Sequence, residues 1–319
     1  MLRLFLGNQF VALLFLPLVA GIYFGLNQFT EYFELFPEIN FGCWGTYVFH
    51  QYNWANYISF PIVIANAIGA NYVFNSNEFY DKNTYVVALF YVVFLSFFQC
   101  FYQANGVLLA HSAIICGLFQ VFRLEYNKDG RRAVFNSGFL FGLAATFHPP
   151  YCMFLPVVSW MILRIRPFVV REFLLIIVGF ITPLLYGIYF LYGIMHKKLN
   201  FETLSEGNHL IKKEIFVSFS LAIFGIIGMF SLIVLSNKSG KSSIRFKKMM
   251  SVLKILFFAV ILLGLTEFIT FKGYEWVSLV VVPIVFFYPF SFFNKSSNFL
   301  GTLIFYLSFV FSIAKFFIN

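Results

Sequence analysis

Long apolar runs, broken by a few polar residues, follow one another along the whole chain. They predict membrane-crossing helices at about 9–27, 55–74, 84–102, 105–123, 172–193, 214–236, 251–271, 275–292 and 298–317. One further run, residues 136–171 (NSGFLFGLAATFHPPYCMFLPVVSWMILRIRPFVVR), is long enough to cross a bilayer as a single helix, yet Pro149 and Pro150 stand in its middle. Two consecutive prolines supply no backbone N–H and clash with the carbonyls one turn earlier. The first also drives His148 out of the α region. The run therefore predicts two half-helices, about 134–147 and 149–164, with Pro149 opening the second. At 1.5 Å per residue each is roughly 21–24 Å long, short of a ~30 Å hydrocarbon core. A re-entrant hairpin with His148 at its tip is the expected result, covered by protein or lining water.

Charge placement orients these elements. Residues 28–54 hold three Glu, one His and no Lys or Arg, whereas RLEYNKDGRR, the ends of the proline-broken run and residues 237–250 are basic. Sixteen of the 22 Lys and Arg residues then fall on the cytoplasmic side, as the positive-inside bias requires. The expectation is a cytoplasmic N-terminus, a periplasmic C-terminus and nine full spans plus the hairpin, in a bacterial inner membrane. The mixed-sign loop 194–213 is the weakest point of that scheme. The loop 28–54, rich in Trp and Tyr, reads as an interfacial helix at the headgroups. No small-residue cleavage motif follows the first apolar run, so it reads as a retained helix.

Composition agrees. Of 319 residues, 61% are hydrophobic and only 11% charged, against about 25% charged in soluble domains. The net charge of +9 sits in short loops, with no basic domain or stripe for nucleic acid. The 49 Phe residues fit either an aromatic groove for a lipid or plain substitution for Leu in lipid. Four cysteines, Cys43, Cys100, Cys116 and Cys152, lack metal or redox spacing. HExxH, P-loop, Gly-x-Ser-x-Gly and haem signatures are all missing, which removes most soluble-enzyme classes.

The middle of the chain carries a resemblance. Asn105–Arg123, a basic turn, GFLFGLAATFHPP, a half-helix ending LRIRP and then REFLLIIVGFITPLLYGIYF resemble the core of GT-C-fold glycosyltransferases, which take sugars from polyprenyl phosphates. Across residues 75–193 the chain is also similar to an uncharacterised family of Bacteroidota inner-membrane proteins. The resemblance implies an all-α, polytopic, GT-C-like transmembrane bundle in one integral domain, with 1–193 as the core and 194–319 as C-terminal helices. Gly138, Gly142, Ala144 and Ala145 would allow close helix approach within it.

GT-C enzymes place an acid in the first external loop, and the matching positions here are Glu31, Glu34 and Glu38, without the usual adjacent acidic pair. Glu31 and Glu34 would share a face if the loop is helical, and either would serve as base or as ligand for a divalent cation. A solvated acidic face is the competing account. His148 would meet a phosphate or act as an acid, or else cap the second half-helix. His50 and Asn53 form a polar cluster that faces a sugar or the interface, and the intramembrane His111 is a substrate-binding candidate or a partner of a helix carbonyl. No resident metal or cofactor is expected, save a divalent cation for a glycosyltransferase. Two functions follow: a non-catalytic subunit or scaffold of an envelope-assembly complex, with lipids and a membrane-protein partner, or a glycosyltransferase using polyprenyl phosphate. A transporter is disfavoured, because no matching pair of broken helices recurs.

Overall fold

Apolar periodicity, helix caps and prolines set the element boundaries in the computed structural model, which describes residues 2–7, 11–33, 38–48, 57–126, 130–194, 214–240, 242–271, 275–293 and 297–317. The helices are α1 (Leu2–Leu6), α2 (Val11–Thr30), α3 (Ser59–Ser76), α4 (Val86–Leu95), α5 (Gln99–Tyr102), α6 (Gly106–Arg123) and α7 (Arg131–Phe147). After a 3-10 turn at Pro149–Met153 come α8 (Phe154–Ile165), α9 (Val170–Tyr189), α10 (Glu214–Gly240), α11 (Ile244–Phe271), α12 (Val281–Phe287), α13 (Phe290–Phe293) and α14 (Asn298–Ala314). A two-stranded antiparallel hairpin, β1 (Glu38–Asn40) and β2 (Thr46–Val48), pairs Ile39 with Tyr47.

The double proline acts as its chemistry dictates. α7 stops at Phe147, and His148 is extended at φ −136°, ψ 96°. The chain then turns through 3-10 geometry before α8. Glycines let α7 sit closely between its neighbours: a Cβ on Gly138 would lie 2.5 Å from the Ile176 carbonyl oxygen of α9, and one on Gly117 of α6 would lie 2.8 Å from the Phe141 ring. Against α9 the close approach expected of this helix is therefore built from backbone against backbone, and against α6 from a ring seated on a glycine.

Among the described residues four helices, Val11–Thr30, Gly106–Arg123, Val170–Gly193 and Ile244–Thr266, are long and apolar enough to cross a membrane. Five other apolar helical stretches, Val86–Leu95, Pro149–Ile165, Ala222–Lys238 within α10, Val277–Phe293 and Asn298–Ala314, are 10–17 residues long. The expected full-length span at 84–102 is one such case. Its helix breaks after Leu95, where the Ser96 hydroxyl turns back onto the Val93 carbonyl at 2.7 Å. The next helix starts cleanly because Asn105 caps it, its side-chain oxygen accepting from Leu108 N at 3.0 Å.

Every residue of α4 is buried. It is surrounded by α2, α3, α12 and α14, so a single hydrophobic cluster runs from Leu2 to Phe316, through both parts of the chain. At the basic end of the bundle the cations are paired rather than merely displayed. Arg166 donates to the Leu124 carbonyl and lies 3.3 Å from Glu172. Lys248 joins Glu125 at 3.3 Å and the Ile165 carbonyl at 3.0 Å. Arg245 reaches Glu78 at 3.3 Å while lying over the Tyr126 ring.

Candidate functional site

The opposite end of the bundle gathers the hairpin, the proline turn and the end of α2. The β1–β2 hairpin replaces the interfacial helix expected over this part of the loop, because Gly42 and Gly45 adopt φ +65° and +90° and bend the chain back. Its tip is pressed onto the end of α7. The Trp44 indole N–H donates to the Thr146 hydroxyl at 3.0 Å, and its ring lies 6.2 Å from Phe147 and 5.4 Å from Phe190. A Cβ on Gly106 would strike the Phe147 carbonyl oxygen and lie 3.3 Å from that of Asn40, so only glycine fits where α6 begins. Cys43 lies against Gly187 of α9, and burial, with the nearby Cys152 thiol adding to it, pushes its thiol up to about 11. At neutral pH that group is a protonated thiol and a poor nucleophile.

Next after Phe147 comes His148, 1% exposed, its ring 4.5 Å from that of Tyr151. Its carbonyl accepts from Tyr151 N at 2.9 Å, and its side chain makes no capping bond to the 3-10 turn. The turn is pinned through the backbone instead.

Glu31 sits elsewhere at this end. α2 stops at Thr30, and Glu31 takes the left-handed conformation, φ 49°, its N–H donating to the Asn27 carbonyl at 2.8 Å. The Asn27 side chain accepts from Phe33 N at 2.8 Å and donates to Phe33 O at 3.2 Å, which fixes the exit. The helical face that Glu31 and Glu34 were expected to share is thus interrupted at Glu31, whose side chain is exposed. Tyr32 and Phe33 turn inward, Phe33 stacking 4.9 Å from Tyr102 and Tyr32 meeting Phe316 edge-on at 5.6 Å. A non-glycine residue at left-handed φ costs about 1–2 kcal/mol, partly offset by the greater unfolded freedom of glycine. Glu31→Gly is therefore expected to stabilise the fold by about 0.5–1 kcal/mol, read as a raised thermal midpoint in detergent; a lowered midpoint would show that the carboxylate itself holds this turn.

His111 is fully buried within α6. Its Nδ1 is 3.1 Å from the Tyr91 hydroxyl of α4 and its Nε2 3.3 Å from the Ser278 hydroxyl, ahead of α12. Both ring nitrogens are engaged, so the side chain ties three segments together inside the bundle. Glu34, His50 and Asn53 lie outside the described residues. Among the described residues no three His, Cys, Asp or Glu side chains gather to hold a metal ion.

Two features of this end were missed from sequence: Trp44 as the residue bolting the hairpin to α7, and Lys315, wholly buried just after α14. The paired glycines around Cys43–Trp44 were a usable signal for the first; a lone lysine at the end of an apolar helix reads as a boundary marker and gave none for the second. The chain matches no protein-family model, no curated protein and no solved structure.

Proposed function

We propose that the protein is a non-catalytic integral subunit or scaffold of a cell-envelope assembly complex, set in a bacterial inner membrane on a GT-C-like helical frame. The observation that carries this reading is the burial of the histidine at the turn. His148, the residue best placed in sequence to meet a lipid phosphate, is 1% exposed, two residues beyond Thr146, to which Trp44 anchors the hairpin. Of the two acids expected to work with it, Glu31 is exposed at a helix exit whose neighbours pack on Tyr102 and Phe316, and Glu34 lies outside the described residues. An acid–base pair needs both groups within reach of one reacting atom.

Membrane residence is supported by the four long apolar helices and by exposed Tyr186, Tyr189 and Tyr192 along the end of α9, at the level where aromatic belts form. Paired cations at the other end are consistent with a cytoplasmic face there. The test is affinity purification in mild detergent with identification of bound proteins and lipids. A stoichiometric membrane-protein partner is the expected result. A co-purifying polyprenyl phosphate without a protein partner overturns it in favour of the glycosyltransferase.

A further inference from the structure

Lys315 is buried, and among the described residues no carboxylate pairs with it. It follows the last turn of α14 and is 0% exposed. Its Nζ donates to the Ser96 carbonyl oxygen and, at 3.1 Å, to the Tyr102 phenol oxygen. That phenol donates its own proton to the same carbonyl at 2.8 Å. Around the nitrogen stand the rings of Phe316 at 4.8 Å, Phe33 at 5.0 Å, Phe97 and Tyr102 at 5.3 Å and Tyr32 at 6.0 Å.

The chemistry of this shell is one-sided. Both polar partners act as acceptors toward Nζ, and the rest are aromatic rings. A neutral amine would bring a lone pair in need of a donor, yet the carbonyl has no proton and the Tyr102 proton is already given to that carbonyl. An ammonium brings three N–H donors and a full charge, which suits two acceptors and the negative faces of several rings. The Ser96 carbonyl adds to the match, since it closes α4 at the end where the helix dipole is negative.

We propose that these groups form an ammonium-binding cage, a site for small alkylammonium cations, which the chain's own Lys315 fills as a tethered ligand. The cage is assembled from three segments far apart in sequence, 32–33, 96–102 and 315–316. Filling it joins the exit of α2, the break between α4 and α5, and the end of α14. The neighbouring Tyr23–Ser312 hydrogen bond, at 2.5 Å, makes a second link between α2 and α14 one turn away.

The test uses the full-length protein in detergent. In Lys315→Ala, methylammonium chloride is expected to raise the thermal midpoint saturably. Sodium chloride at equal ionic strength and methanol, a neutral probe of similar size, should not reproduce that rise, and the wild type, its cage already filled, should not show it. An equal response to methanol, or none beyond that to sodium chloride, overturns the cage. If Lys315→Ala does not fold, Phe97→Leu is compared in the wild type and in Lys315→Met. A cage requires the larger drop in midpoint in the wild type, because only there does the ring face a charge; equal drops overturn it.

Discussion

Gly142→Leu is expected to abolish recovery of folded protein. A Cβ at this position would fall on the Phe180 carbonyl oxygen and within 2.9 Å of the Phe180 Cα, all backbone of α9. No side chain is present to swing aside, so α7 and α9 must separate along their length. Overpacking by a methylene or two costs about 1–3 kcal/mol when side chains can relax, and here a leucine meets main chain. Against a typical stability of about 5–15 kcal/mol, loss of the fold is the consequence. Size-exclusion profiles in detergent would check this, with Gly142→Ala as the milder step. Gly21→Leu is the control: it lies in α2 with nothing within 4 Å of its Cβ position, and it should behave as wild type. A monodisperse Gly142→Leu protein would sink the account of α7 packing.

Gly42→Ala is expected to lift the hairpin while leaving the bundle folded. Gly42 has φ +65°, and a Cβ there would lie 2.5 Å from the Thr146 carbonyl oxygen and closer still to that of Phe147. The backbone term is about 1–2 kcal/mol and the collision about 1–3 kcal/mol, enough to detach a short surface hairpin locally. Cys43 provides the readout in a variant whose other three cysteines are serine. In the wild type its thiol, at about 11, is almost entirely protonated at pH 8. Release toward the ordinary range of about 8.5–9 would raise the thiolate fraction, and with it the maleimide labelling rate, on the order of a hundredfold. Unchanged labelling would mean that the hairpin does not depend on Gly42 for its seat.

These two glycines also show what could be read in advance. The role of Gly142 was legible because a Gly/Ala-rich helix beside a Pro-Pro break has few packing solutions, and the break itself follows from local covalent geometry. The hairpin at 38–48 was not legible in the same way. Aromatic residues in a charged loop suit an interfacial helix, and only the two left-handed glycines overrule that. The span at 84–102 was misjudged where a helix breaks inside an apolar run: hydropathy cannot distinguish Val93-Phe94-Leu95-Ser96-Phe97 as helix from the same residues as a break. His111 was recognisable as a buried polar group, but its partners Tyr91 and Ser278 stand 20 and 167 positions away. The surroundings of Lys315 were hidden for the same reason, since they are supplied by residues near 32 and 97. Candidate chemistry was thus visible as residue types, while the assembly around each depended on long-range packing.

The all-round burial of α4 bears on how the protein is made. Its ten residues have no face designed for acyl chains, yet two of the helices that enclose it, α12 and α14, leave the ribosome nearly two hundred residues later. During synthesis α4 must therefore wait for the last helices to arrive before it is enclosed. Chains interrupted before residue 281 would keep that segment unsheltered rather than leave a working fragment.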